Sequence, residues 1–467
     1  MNQTATHSVN ERIQENGPLI FIAGLVCVFG YLTLKDGGPG MLLYGGTFIG
    51  AFLFFMSGLY RSLFKREVLT YLLAAYLPFS KQIPVDFGNR VTGLNFTNIM
   101  VFLVAYFWLK SRDRSKPLFA KTPLNIPIFI FIGLGIFSIF RGASYGRGYI
   151  AEASIEYYRR WVIPFFLYFF IINSGHDNHI LKNIVKVIMM VTVFVSLMAI
   201  YEYMDIDERV GGIFDQPNHL AAFFNYYIYL FFAFFLIYKK WRWIYLIPFA
   251  ICFRGIMVTF SRAGYLAFAA GMYAITCFRS RVLLFFLVLS TVFLYFNPAF
   301  LPEGIRYRMA QTFEQHQLTG SGVTVSLESS ASERLQVWQA ALNMIEEHPF
   351  FGIGFYTFEQ KILHYWAGKK SHDAHNNHLL IASEMGVPAL LIFYLILWRI
   401  LTSSRKLYKI SADPFFKSVA LGMLGGLFSL FVSNLYGSRL NFTEVTCYFW
   451  ILTGIIIRWK MLEEGKS

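Results

Sequence analysis

The sequence is poor in charge. Asp, Glu, Lys and Arg supply only 15% of its 467 residues, where about 25% is usual for a soluble chain, too few to clothe a globular surface of this size. A cysteine pattern is missing too. Cys27, Cys252, Cys277 and Cys447 lie far apart inside apolar runs with no CxxC spacing, so nothing suggests a metal or redox pair, and they read as small apolar residues facing lipid or core. The polar start, Met1 to Gly17, is followed by the apolar run Pro18 to Leu34, which has no small-residue cleavage site and is succeeded by another apolar run. It is expected to be a first span, not a cleavable signal. No internal repeat is evident, whereas a transporter or flippase would be expected to show paired broken helices in two similar halves.

What the chain has is apolar sequence, 56% hydrophobic and 19% aromatic. That composition implies an all-α polytopic membrane protein. Runs suited to crossing a bilayer are 18–34, 41–60, 67–80, 95–110, 124–140, 161–173, 183–203, 218–238, 243–278 as two short crossings, 282–296, 377–398, 415–434 and 443–457. They give about 12–14 transmembrane helices. Three regions are expected: an N-terminal bundle over 1–296, one large external loop with short helices over 297–376, and C-terminal spans over 377–467.

The net charge of +14 must be read by location, because Lys and Arg mark the cytoplasmic side of a membrane protein. With the N-terminus inside, the clusters Arg61/Lys65/Arg66, Lys110 to Lys121, Lys182/Lys186, Lys239/Lys240/Arg242, Arg279/Arg281, Arg399 to Lys417 and Arg458/Lys460/Lys466 all fall on one side. The basic balance therefore records orientation and does not call for a nucleic acid. The other side has little lysine but carries Arg141, Arg147, Arg159, Arg160, Arg209, Arg262 and Arg439. Arginines that defy the orientation rule suggest an anionic ligand, since the guanidinium fork matches phosphate oxygens. The plainer reading is that some pair with Glu152, Glu156, Asp207 or Glu208. Arg254 lies within a short crossing, where a lone charge suggests a helix break and a secondary site.

The outer loop passes a Ser/Gly/Thr-rich piece, Thr319 to Ser332, expected to be mobile, and becomes helical after the capping box Ser330-Ala331-Ser332-Glu333. Gly352-Ile353-Gly354 reads as a tight turn. Tyr356 to Trp366 has one apolar face, suited to lying along a bilayer surface. The loop leads into the polar island Ser371-His372-Asp373-Ala374-His375-Asn376-Asn377-His378, directly before an apolar run. Its histidines, spaced by three, progress around a helix and need not converge. They can be read as metal ligands with Asp373, as caps, or as a general base for a sugar hydroxyl; the last fits imidazole chemistry near neutral pH best.

His375-Asn376, then nine residues, then Gly386, resembles the signature of the O-antigen ligase and polymerase superfamily. Three further stretches are similar to its pattern: Glu208 to His219, Thr259-Phe260-Ser261-Arg262-Ala263-Gly264, and Arg334 through Trp338 to His348-Pro349-Phe350-Phe351-Gly352-Ile353-Gly354. Ala389 departs from it, standing where the ligase signature prefers Gly, Thr or Tyr. The resemblance, over about residues 200–400, implies a glycosyltransferase of the bacterial cytoplasmic (inner) membrane with its active site facing outward. The implied donor is an undecaprenyl diphosphate-linked glycan and the acceptor a glycan, lipid or protein. His375 would be the catalytic base, and Arg209 and Arg262 would hold the diphosphate, with no metal or cofactor. Arg159 and Arg160 are further diphosphate candidates, and Asn376, Asn218, Arg254, Arg439 and His378 are secondary ones. Ligase and polymerase differ in acceptor, which no motif here encodes.

Overall fold

The computed structural model describes residues 66–82, 96–112, 114–115, 117–146, 148–206, 208–301, 306, 313–317, 323–327, 329–366 and 373–465. The expected spans 18–34 and 41–60, together with Cys27, Arg147 and His372, lie outside the described residues. Every expected span from 67–80 onward coincides with a helix: α1 (Arg66–Tyr76), α2 (Phe96–Ser111), α3 (Asn125–Arg141), α4 (Tyr149–Tyr157), α5 (Ile163–Asn173), α6 (Asn178–Ile206), α7 (Pro217–Ile237), α8 (Leu246–Val258), α9 (Arg262–Arg279) and α10 (Arg281–Phe296). The outer loop contributes a strand pair, β1 (Phe313–Gln317) with β2 (Val323–Leu327), then α11 (Ser329–Glu347), α12 (Phe358–Tyr365) and α13 (Asn377–Met385). The chain ends with α14 (Val387–Ile410), α15 (Pro414–Leu435) and α16 (Thr443–Glu464). Among the described residues, six helices are long and apolar enough to cross a bilayer unaided. This is an all-α polytopic membrane protein.

The bundle is organised on α7 and α15. Gly422, Gly425 and Gly426 of α15 lie against Leu230, Tyr229 and Tyr226 of α7, so closely that a Cβ at Gly426 would run into the Tyr226 carbonyl. Without a water-driven force between helices in lipid, such close backbone approach is what holds them. At the periphery α10 buries none of its residues; its apolar surface suits a lipid contact.

Four expectations need correction. The short span 161–173 is the second half of one helix running from Tyr149 to Asn173 through a π-helical turn, Tyr158–Val162. Glu152, Glu156, Arg159 and Arg160 interrupt the apolar run, yet Tyr149, Ala153 and Tyr157 bury a continuous face, which sustains the helix. The run 377–398 is also two helices. The chain breaks at Gly386, φ +90°, and the crossing is α14, so the polar island stands one short helix away from a span. Finally, the apolar face of α12 turns into the protein, with Phe358 and Ile362 packed with Val337, Ala340, Ala341, Met344 and Ile353. The piece expected to be a mobile loop includes β2, paired antiparallel with β1, Phe313 opposite Leu327.

Contacts between loops sort them into two ends that match the alternation of spans. At one end Lys182 pairs with Asp413 at 2.6 Å and Lys406 with Glu464 at 2.5 Å, while Arg458 donates to the carbonyls of Ile171 and His176. At the other, Lys81 pairs with Asp215 at 2.9 Å, Arg141 donates to Gly352 O at 2.5 Å, and Ser438 reaches Asp373. None of these contacts joins the two ends. In a variant without native cysteines, single cysteines at Lys406 and Lys240 should react with a membrane-impermeant maleimide from one side only, and cysteines at Glu346 and Tyr436 from the other. Labelling of Glu346 and Lys406 from the same side would break this arrangement.

Candidate active site

His375 sits in the turn before α13, outside any helix, in a left-handed conformation with φ +48°. That region disfavours side chains other than glycine, with His among the better tolerated. Asp373 stabilises it locally: its Oδ2 accepts the His375 backbone N–H at 3.2 Å and stands 3.5 Å from His375 Nδ1. Its Oδ1 accepts from Ser438 Oγ at 2.9 Å. Trp338 of α11 donates to the carbonyl of Ala374 at 3.1 Å. The imidazole, 40% exposed, thus has its Nδ1 facing the carboxylate. An imidazole with a carboxylate behind it is built to take a proton and to hold the charge that results.

The neighbouring polar residues have other work. Asn376 caps α13, its Oδ1 accepting from the backbone of His378 at 3.0 Å and Leu379 at 3.1 Å. His378 is buried, its Nε2 at 3.2 Å from the Phe431 carbonyl and its ring 4.8 Å from that of Phe431. The nine residues between Asn376 and Gly386 are α13 itself. Among the described residues no three His, Cys, Asp or Glu side chains gather as a metal cage.

A second polar group lies where α7 and α9 begin. Arg209 donates from Nε to Thr259 O at 2.9 Å and from Nη2 to Asn218 Oδ1 at 3.0 Å. Asn218 Oδ1 also accepts from Ser261 Oγ at 2.7 Å. Ser261 caps α9 by accepting from Gly264 N, which makes Arg262 the first residue of that helix. The turn holds Phe260 at φ +48°, a strained value for an aromatic residue. Two arginines beside a helix N-terminus form an arrangement suited to phosphate. His219 lies alongside, its ring 3.9 Å from Phe442.

Arg439 connects the two groups. It is 6% exposed, in the 3₁₀ turn Arg439–Asn441 whose backbone N–H groups at Arg439 and Leu440 are held by Asn434 Oδ1. Burial lowers its pKa to about 10, and its charge interacts with Tyr226, Asp373, Arg334 and Arg209. The remaining candidates are engaged elsewhere. Arg159 and Arg160 pair with Glu156 at 2.9 and 3.1 Å, and Arg160 also lies over the Tyr356 ring at 5.0 Å. Arg254 marks no break: α8 runs unbroken through it, and its guanidinium rests over Tyr203 at 5.2 Å. Sequence reasoning left out Asp373 as a partner of His375 and Ser438 altogether, and named Arg334 only as the start of a family-like stretch. Asp two residues before His was the available signal; the other two become visible only when the loops meet.

A backbone clamp fixes α13. Ile353 N donates to Ser383 O at 2.8 Å, Gly354 N to Glu384 O at 3.1 Å and Val387 N to Pro349 O at 2.7 Å. Gly352 and Gly386 both have positive φ, and a Cβ on either would overlap the opposing carbonyl. Inside the clamp the buried Glu384 accepts from Phe358 N at 3.2 Å.

These elements define a multi-pass membrane protein with a polar, arginine-lined site at one end. Residues 247–394, about a third of the chain, match the family model described as O-Antigen ligase, the superfamily whose pattern the sequence resembles. No curated protein matches the chain.

Burial pushes the Glu384 carboxyl up to about 7, against the opposing effects of Arg160 and of the Phe358 and Tyr356 N–H groups. A carboxyl raised in the folded state stabilises while protonated; that contribution is full below the ordinary value of 4.5 and is lost as pH rises through about 7. Glu384→Gln keeps an acceptor for Phe358 N and removes the titration. Relative to the variant, wild-type melting temperature should fall between pH 4.5 and 8; parallel curves would show that Glu384 does not titrate there.

Proposed function

We propose that the protein transfers a glycan from undecaprenyl diphosphate to an acceptor hydroxyl at the outer face of the bacterial cytoplasmic membrane. The observation that carries this reading is the meeting, at one end of the bundle, of a carboxylate-backed histidine and an arginine group beside a helix N-terminus, in a chain with an O-antigen ligase match. The lipid diphosphate would lie at headgroup level against Arg209 and Arg262, with its sugar toward the 297–376 loop. His375 Nε2 takes the acceptor proton as the hydroxyl oxygen attacks the anomeric carbon. The bond from that carbon to the diphosphate oxygen breaks with inversion, and the electron pair leaves on undecaprenyl diphosphate. Asp373 stabilises the imidazolium, and the arginines stabilise the charge on the leaving group, the task a divalent ion performs in many nucleotide-sugar enzymes. The same chemistry serves a polymerase, whose acceptor is another lipid-linked repeat. Product length separates the two.

With a defined undecaprenyl diphosphate oligosaccharide as donor, His375→Ala should lower turnover by about two to four orders of magnitude while donor binding persists. Asp373→Asn should lower kcat with little change in KM, and His378→Ala should act on stability more than on rate. Arg209→Lys should weaken donor binding, because an ammonium lacks the fork. Full transfer by His375→Ala would refute the general-base assignment, as would equal kcat losses in His375→Ala and a stably folded His378→Ala.

A further inference from the structure

Beside His375 two aromatic rings meet from separate elements. Trp338 of α11 and Tyr436, the residue after α15, have ring centroids 6.2 Å apart and planes at 47° to each other, and both are half-buried. The indole N–H is spent on the Ala374 carbonyl at 3.1 Å, so what Trp338 has left to offer is apolar ring. Both side chains are held before anything binds: Trp338 by that bond, and Tyr436 by the turn it leads into, whose backbone at Arg439 and Leu440 is fixed by Asn434 Oδ1. Polar groups frame the pair. Asp373 precedes Ala374 and accepts from Ser438, two residues beyond Tyr436, and Arg334 stands one turn before Trp338 on the same face of α11. Rigid Trp and Tyr side chains supply a large contact surface at little cost in conformational entropy. Apolar rings rimmed by a carboxylate, hydroxyls and a guanidinium match a sugar, which has apolar C–H faces and a rim of hydroxyls.

We propose that Trp338 and Tyr436 form the platform for the first sugar of the donor glycan, the one that carries the anomeric carbon. The inference rests on the lipid-linked donor proposed above. The platform lies between the two groups of the site: Trp338 is bonded to the residue before His375, and Tyr436 leads into the turn of Arg439, whose charge interacts with those of Arg334 and Arg209. A glycan whose diphosphate rests against Arg209 reaches His375 with its first sugar over these rings. Stacking fixes the plane of that sugar, and so the direction from which the acceptor hydroxyl meets the anomeric carbon. Hydroxyls turned to Asp373, Ser438 and the Tyr436 hydroxyl let the site choose among sugars, because a wrong one leaves these groups unpaired. The lipid tail and the diphosphate make no use of the platform.

The test compares the affinities of two probes for the protein in lipid nanodiscs: undecaprenyl diphosphate alone, and a non-transferable analogue of the same lipid bearing the defined oligosaccharide. The wild type should bind the glycan-bearing lipid more tightly. Tyr436→Leu should shrink that advantage by about three- to ten-fold, the range of one aromatic contact, with the melting temperature and the affinity for bare undecaprenyl diphosphate unchanged. Tyr436→Phe keeps the ring and should restore most of the advantage. A merely structural role would move both probes together, so equal losses for the two overturn the proposal, as does an undiminished advantage in Tyr436→Leu. Should Tyr436→Leu fail to fold, Trp338→Leu is read by the same pair of affinities. A wild type that binds both probes equally overturns the platform and leaves the donor reading standing. If it binds neither, the donor reading falls and the platform with it.

Discussion

The site depends on one backbone clamp. Where the turn 349–354 lies along 383–387, three main-chain hydrogen bonds form, and they require two glycines with positive φ at which any Cβ would meet a carbonyl. This contact stops α13 after nine residues and starts α14 in a new direction. It thereby holds the N-terminus of α13, and His375 just ahead of it, away from the mouth of the span. The clamp also ties the site to the bundle, through Arg141 to Gly352, Ser138 to Glu384 and Tyr149 to Phe355. Because interiors of this kind are packed and not pliable, a change at Gly386 would be felt at His375 through the whole of α13.

The second organising effect is the division of labour among cations. Lysines at one end find Asp413 and Glu464, ordinary pairing at a membrane surface. At the opposite end Arg141 is tied to the clamp, Arg159 and Arg160 share Glu156, and Arg254 rests on an aromatic ring. Arg209 and Arg439 are different, since Arg209 donates to Thr259 O and Asn218 Oδ1 and Arg439 is buried in the 439–441 turn. Backbone strain concentrates nearby. Of the five residues other than glycine with positive φ among the described residues, Asp215, Phe260, Tyr356 and His375 are at this end, where preorganisation has a use.

Much of the architecture was legible in the sequence because bilayer crossing imposes a crude rule on composition, and the alternation of Lys-rich loops repeats it independently. The boundaries were harder. Helix α4 was hidden because Glu152 and Glu156 and the arginines just after it interrupt the apolar run although Tyr149, Ala153 and Tyr157 are buried, and the break at Gly386 was hidden because Leu379 to Trp398 is apolar on both sides of it. His375, Arg209 and Arg262 could be singled out from local pattern. Ser438 behind Asp373 and the approach of Arg439 to Asp373 could not, since they arise from loops separated by about sixty residues or more in sequence, joined only by packing. The break expected at Arg254 does not occur, because the helix Leu246–Val258 runs through it with the guanidinium over Tyr203.

The central claim is geometric: a lipid diphosphate lies along the arginines with its sugar end at His375. A structure of the protein in a nanodisc with a non-transferable undecaprenyl diphosphate glycan bound tests it directly. The account predicts the diphosphate in contact with Arg209 and Arg262, and the anomeric carbon on the side of His375 Nε2 with room between them for a hydroxyl. A diphosphate bound instead among Arg159, Arg160 and Glu156, or at the lysine-rich end, would contradict it.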